Sequence, residues 1–117
     1  IFSTIERMKI LEIFLNDIII PNHMFVAIVE IQVKKEQQNE FKNWFNESNK
    51  ELSKFEGFVN RRLLESNNGK NLVLVEFETK EQFEKMHQTQ EHMRIQSKGH
   101  SMMESPPRPG FYSVISQ

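Results

Sequence analysis

From Met24 onward the apolar and polar residues are patterned as strand, helix, strand, strand, helix, strand. The first strand is apolar on both faces. Phe25, Ala27, Val29, Ile31 and Val33 point one way, while Val26 and Ile28 point the other before Glu30 and Gln32 turn that second face polar. Two helices cover only one face of a four-stranded sheet, and the other face then needs a partner. The pattern predicts a small α+β unit with an antiparallel four-stranded sheet that forms a homodimer through its sheet face.

Glu36 to Phe55 is the clearest helix. Phe41, Trp44, Phe45, Leu52 and Phe55 share one face with Ser48 between them, and Lys42, Asn43, Glu47, Asn49 and Lys50 share the other. Phe58 to Glu65 reads as the second strand, Asn67-Asn68-Gly69 as a tight turn, and Leu72 to Phe77 as the third strand. Thr79 and Gln82 stand at capping-box spacing and announce a second helix. That helix turns Phe83, Met86 and His87 inward and runs towards Gly99, with Thr89 as the place where it would break. Ser105 to Gly110, with three prolines, is a stiff connector, and Phe111 to Ile115 is the closing strand.

Residues 1–23 form a separate N-terminal extension, and residues 24–117 the main domain. Within the extension, Ile5, Met8, Leu15 and Ile18 recur at helical spacing, and Pro21-Asn22 ends the helix. This extra N-terminal helix covers apolar surface on its own or a partner subunit, or is upstream sequence outside the ancestral domain. The chain opens on Ile1, and Met24 stands where a compact protein of this pattern would begin.

Composition narrows the functional classes. The 117 residues contain no cysteine, which excludes disulfides, thiolate metal sites and a cysteine nucleophile. Fifteen basic and sixteen acidic side chains leave a net charge of −1, without the basic stripe of a nucleic-acid binder. No run approaches the roughly 18 apolar residues of a membrane span, and no signal peptide is evident. A cytoplasmic protein with no nucleic-acid or membrane partner is the default expectation.

The element order, the Phe55-Glu56-Gly57-Phe58 lead into the second strand, and the hairpin before a capped helix resemble the antibiotic biosynthesis monooxygenase family. The most pointed match is His87-Gln88-Thr89-Gln90-Glu91-His92-Met93, two histidines separated by four residues that include a threonine. The resemblance covers about residues 24–115. It implies a ferredoxin-like βαββαβ monomer, a dimeric α+β barrel, and a cavity between helices and sheet. The family includes quinol and anthrone oxygenases that need no cofactor, and haem-degrading oxygenases. The haem-degrading branch uses an asparagine on the first strand, a tryptophan on the second helix and a histidine further along. Here those positions hold Val29, Met86 and Gln96, and His100 lies one turn beyond.

Three histidines fall between His87 and His100, which raises the question of a metal. On an unbroken helix His87 and His92 lie roughly 140° apart, and neither sits at metal-ligand spacing with a carboxylate. No metal and no cofactor is expected. A single histidine acting as general base fits better, because an imidazole titrates near neutral pH. His87 is the expected base, with Asn60 or Arg62 donating to a developing oxyanion. Trp44, Phe83 and Met86 form the expected walls, with His92 and Tyr112 beside the ligand. Arg61 and Glu76 read as solvated cross-strand residues. The expected activity is a cofactor-independent monooxygenase acting on a quinol, anthrone or similar electron-rich aromatic. The alternatives are a non-catalytic dimer that binds a small aromatic or apolar ligand, and a haem protein using His100 or His92.

Overall fold

The computed structural model describes residues 23–117, so the helix expected over residues 1–20 lies outside the described residues. The elements are β1 (Phe25–Ile31), α1 (Gln38–Leu52), β2 (Phe58–Glu65), β3 (Asn71–Phe77), α2 (Lys80–His87), α3 (Gln90–His100) and β4 (Arg108–Ser113). All strand pairs are antiparallel, in the order β2-β3-β1-β4. This is the expected ferredoxin-like α+β fold, with its second helix divided in two.

The division has a local cause. Thr89 leaves helical geometry, its hydroxyl donates to the Met86 carbonyl at 2.8 Å, and the same oxygen accepts from His92 N–H at 3.1 Å. One side chain thus closes α2 and caps α3. The earlier cap at Thr79 is half of the expected box. Its hydroxyl accepts from Gln82 N–H at 3.1 Å, but the Gln82 carboxamide lies over Gly57 and its Oε1 has no partner among the described residues. Gly57 has φ +87°, a backbone conformation that glycine adopts without strain.

The helices pack on one face of the sheet. Phe25, Ala27 and Ile31 of β1, with Val73 and Phe77 of β3, are buried against them. The buried apolar residues form two clusters. One gathers Phe25, Phe77, Leu52, Phe83, Met86 and Ile95, and the other Ile31, Val33, Phe41, Phe45, Val73 and Met102. Trp44 and Val75 pack against both.

Two strands depart from their expected form. In β2 the register shifts between Phe58, opposite Phe77, and Asn60, opposite Glu76. Val59 is the extra residue of a β-bulge, and the alternation beyond it is inverted. β4 begins at Arg108 rather than Phe111 and ends at Ser113 rather than Ile115. Pro109 is tolerated there because β4 is an edge strand and its missing N–H breaks no inner ladder. Across the outer face, Glu30 joins its neighbours through ion pairs to Lys70 at 3.1 Å and Arg108 at 2.9 Å.

Candidate functional site

Between the helices and the sheet lies a cavity of about 430 Å³. Its walls are mostly apolar, drawn from Ala27, Val75, Trp44, Phe58, Met86 and Ile95 among others. Arg61, His87, His92, Gln96 and His100 supply its polar side chains.

The bulge at Val59 decides which β2 residue enters this space. Arg61 pairs with Val75, so it faces the helices with Phe58 and Leu63, whereas Asn60 pairs with Glu76 and Arg62 with Leu74. The expected donors Asn60 and Arg62 are therefore corrected: they point to the other face, and neither lines the cavity. Arg61, expected at the surface, is the guanidinium inside.

α1 is built to receive it. Arg61 Nη1 donates to Asn49 Oδ1 at 2.7 Å, to Ser48 Oγ at 2.9 Å and to the Phe45 carbonyl at 3.4 Å. Asn49 returns a bond from Nδ2 to the Arg61 carbonyl at 3.0 Å, so this residue belongs to the sheet side of α1 and not to its solvated face. The guanidinium carbon lies 4.0 Å from the Phe45 ring centroid and 5.3 Å from that of Trp44, within cation–π range. Burial lowers the Arg61 pKa to about 10, so the group stays protonated at neutral pH. The helical stripe that packs α1 thus also fixes a charge.

The break at Thr89 brings two histidines together. His87 ends α2, His92 lies in the first turn of α3, and their ring centroids are 4.4 Å apart. His92 is half-buried and its Nδ1 is sealed from water, with no hydrogen-bond partner among the described residues. Desolvation, then the nearby charges of His87, Arg61 and His100, push its pKa down to about 4, against a small opposing effect of the His87 carbonyl. It is neutral at physiological pH. His87 is exposed and stands at the cavity's edge, 5.5 Å from the Phe83 ring.

Among the other expected site residues, Trp44, Phe83 and Met86 line the cavity. Tyr112 does not. It pairs with Val26 on the outer face and is exposed, while its neighbour Phe111 lines the cavity beside Phe25 and Phe83. Val29 and Gln96 line the cavity as Met86 does, so the positions at which the resemblance would place haem-holding residues are inside, but a valine, a methionine and an amide stand there. These side chains do not fit a haem held in that manner. His100 also borders the cavity and is exposed. Among the described residues no group of three histidines or carboxylates is placed to hold a metal ion, and no helix is long and apolar enough to cross a membrane.

Fold and site together define a ferredoxin-like α+β protein whose internal cavity holds a cation beside an imidazole pair. The particular family follows from the sequence: residues 24–98 match its model, and the chain belongs to the antibiotic biosynthesis monooxygenase family. No curated protein matches the chain. Similar solved structures include a candidate antibiotic biosynthesis monooxygenase from Nitrosomonas europaea, with TM-score 0.71, 18% identity, and coverage of 80% of this chain and 92% of that one. SnoaB, a cofactor-independent oxygenase from Streptomyces nogalater, superposes with TM-score 0.72 at 11% identity over 81% of this chain and 96% of its own. A conserved protein from Methanosarcina mazei gives TM-score 0.71 at 16% identity over 78% and 92%. At these identities the likeness is one of fold.

Proposed function

We propose that the protein is a cofactor-independent monooxygenase that acts on an electron-rich aromatic such as a quinol or anthrone. The observation that carries this reading is the cavity itself, which combines apolar walls, a fixed guanidinium and an imidazole pair. Membership of the family supports it, as does the fold shared with a cofactor-independent oxygenase.

In this mechanism the substrate's oxygen lies against Arg61, whose charge stabilises the phenolate or enolate form. The proton passes to His87, which is exposed and releases it to water. Burial strengthens the oxyanion's attraction to the guanidinium, because little solvent screens it. The anion gives one electron to dioxygen, and the resulting superoxide and substrate radical combine at the ring carbon. The peroxide anion regains a proton from solvent through His87, and loss of water then leaves a carbonyl. Overall a CH2 group and O2 become C=O and H2O, so substrate supplies both electron pairs that dioxygen consumes. His92, neutral and poorly basic, serves as a positioning residue that packs against His87.

The working unit is a homodimer. Val26, Ile28, Leu72 and Leu74 are only half-buried on the outer sheet face, where no helix lies over them among the described residues. A second copy packed there supplies the missing layer.

The test is dioxygen uptake by the chelator-treated, flavin-free protein with a panel of quinols and anthrones. The expected result is consumption matched one to one by carbonyl product, and a loss of roughly a hundredfold or more in His87→Ala, as removal of a general base entails. No uptake with any member of the panel would reject the oxygenase reading. Under a second reading, a non-catalytic dimer, an aromatic ligand raises the melting temperature without consuming dioxygen.

A further inference from the structure

Arg61 brings a full positive charge into an apolar cavity, and no carboxylate meets it among the described residues. The oxygens of Phe45, Ser48 and Asn49 that accept from it are all neutral and all bind Nη1. Nε and Nη2 have no hydrogen-bond partner among the described residues, and neither is among the atoms sealed from water. One edge of the guanidinium is thus free, while the opposite corner is fastened to α1. Among the described residues the remaining titratable groups on the cavity wall are His87, His92 and His100, and no aspartate or glutamate joins them.

We propose that the ligand of this cavity is an aromatic carboxylate, its ring against Trp44 and Met86 and its two oxygens side-on to the Nε–Nη2 edge of Arg61. The inference rests on the cavity being the substrate site, and it narrows the quinol or anthrone to one whose acid group stands beside its reacting oxygen, so that the carboxylate takes the fork and the neighbouring phenolate lies under the same positive charge. Two parallel N–H groups match the two oxygens of a planar carboxylate, a geometry that a phenol's single oxygen cannot fill. An uncharged ligand would bury the cation further without compensating it, which is costly. The three hydrogen bonds and the Phe45 ring hold the fork in place before binding, so little side-chain freedom is lost when the acid arrives. A tetrahedral phosphate dianion would need more donors than one fork supplies. The volume suits a fused aromatic of two or three rings.

Calorimetric titration of the purified full chain with 2-naphthoate and 2-naphthamide tests this without any turnover. The pair shares ring and shape and differs in charge. At pH 7.5 the acid is expected to bind at least about tenfold more tightly than the amide. In Arg61→Met that preference falls to within about twofold, while amide binding persists as evidence of an intact cavity. Equal affinities in the wild type, no naphthoate binding up to millimolar concentration, or a preference that survives Arg61→Met overturns the proposal. If Arg61→Met does not melt cooperatively, Arg61→Lys takes its place. It keeps the charge but loses the fork, and a preference unchanged from the wild type overturns the proposal equally. Selective acid binding without dioxygen uptake by any quinol would leave the ligand class standing and reject the oxygenase chemistry. Uptake with neutral quinols alongside indifference to the acid would do the reverse.

Discussion

A Cβ on Gly99 would lie 2.5 Å from Cη2 of Trp44, so the backbone of α3 rests directly on the indole ring. Trp44 in turn contacts Phe41 at 5.0 Å between centroids and stands within cation–π range of Arg61. The absence of one side chain on α3 therefore sets how closely that helix approaches α1 along the cavity wall. Gly99→Ala is expected to destabilise the fold by about 1–3 kcal/mol despite the better helix propensity of alanine, because the ring must shift or the helices part. Urea denaturation measures the loss. A variant as stable as the wild type would show that the indole moves freely.

Acidification should weaken the protein through His92. Its pKa is lowered from the ordinary 6.5 to about 4, so between those values the unfolded chain binds more protons than the folded one. The stability this group contributes is fully present above pH 6.5 and is lost as pH falls towards about 4. Melting temperatures should decline across that window, and His92→Gln should flatten the decline. An equal slope in both proteins would place the acid sensitivity elsewhere.

Thr89→Ala removes the hydroxyl that closes α2 and caps α3, at an expected cost of about 0.5–2 kcal/mol. Beyond stability, the His92 titration seen by NMR should move back towards that of an ordinary imidazole, since the turn that presses it against His87 loosens. An unchanged His92 titration would mean that other contacts hold the pair.

Leu74→Arg places a charge in the middle of the outer sheet face. Sedimentation at micromolar concentration should find two-chain particles for the wild type and single chains for this variant. Wild-type single chains would remove the dimer, and with it the barrel.

Most of the fold was legible because period and punctuation agree. The β1 alternation, the stripe from Phe41 to Leu52, and the Thr79 cap each mark their element locally, and β2 runs from Phe58 to Glu65 as expected. β4 was misplaced because prolines argue against a strand unless its edge position is known, and edge position is a property of the whole sheet. The site was less legible for a related reason. A simple alternation puts Asn60 and Arg62 on the side of Phe58, and nothing in the residues around Val59 announces the extra position. Asn49 looked solvent-facing by helical angle, yet it turns inward once Arg61 is there to be bound. The convergence of His87 and His92 depends on Thr89 ending one helix and starting another, which its side chain permits but does not compel.

The unpaired residue at Val59 also determines how kindred chains should be compared. Upstream of it, inward and outward positions follow from counting forward from Gly57; downstream they follow from counting back from the hairpin at Gly69, and the two counts disagree by one. A relative lacking that extra residue keeps a side chain at the inward slot only if its own strand is shorter by one. Aligned by length alone, an inward cation in one chain will be matched to an outward residue in another. One insertion can thus exchange the side chain that β2 sends into the cavity, while the residues contributed by the helices stay as they were.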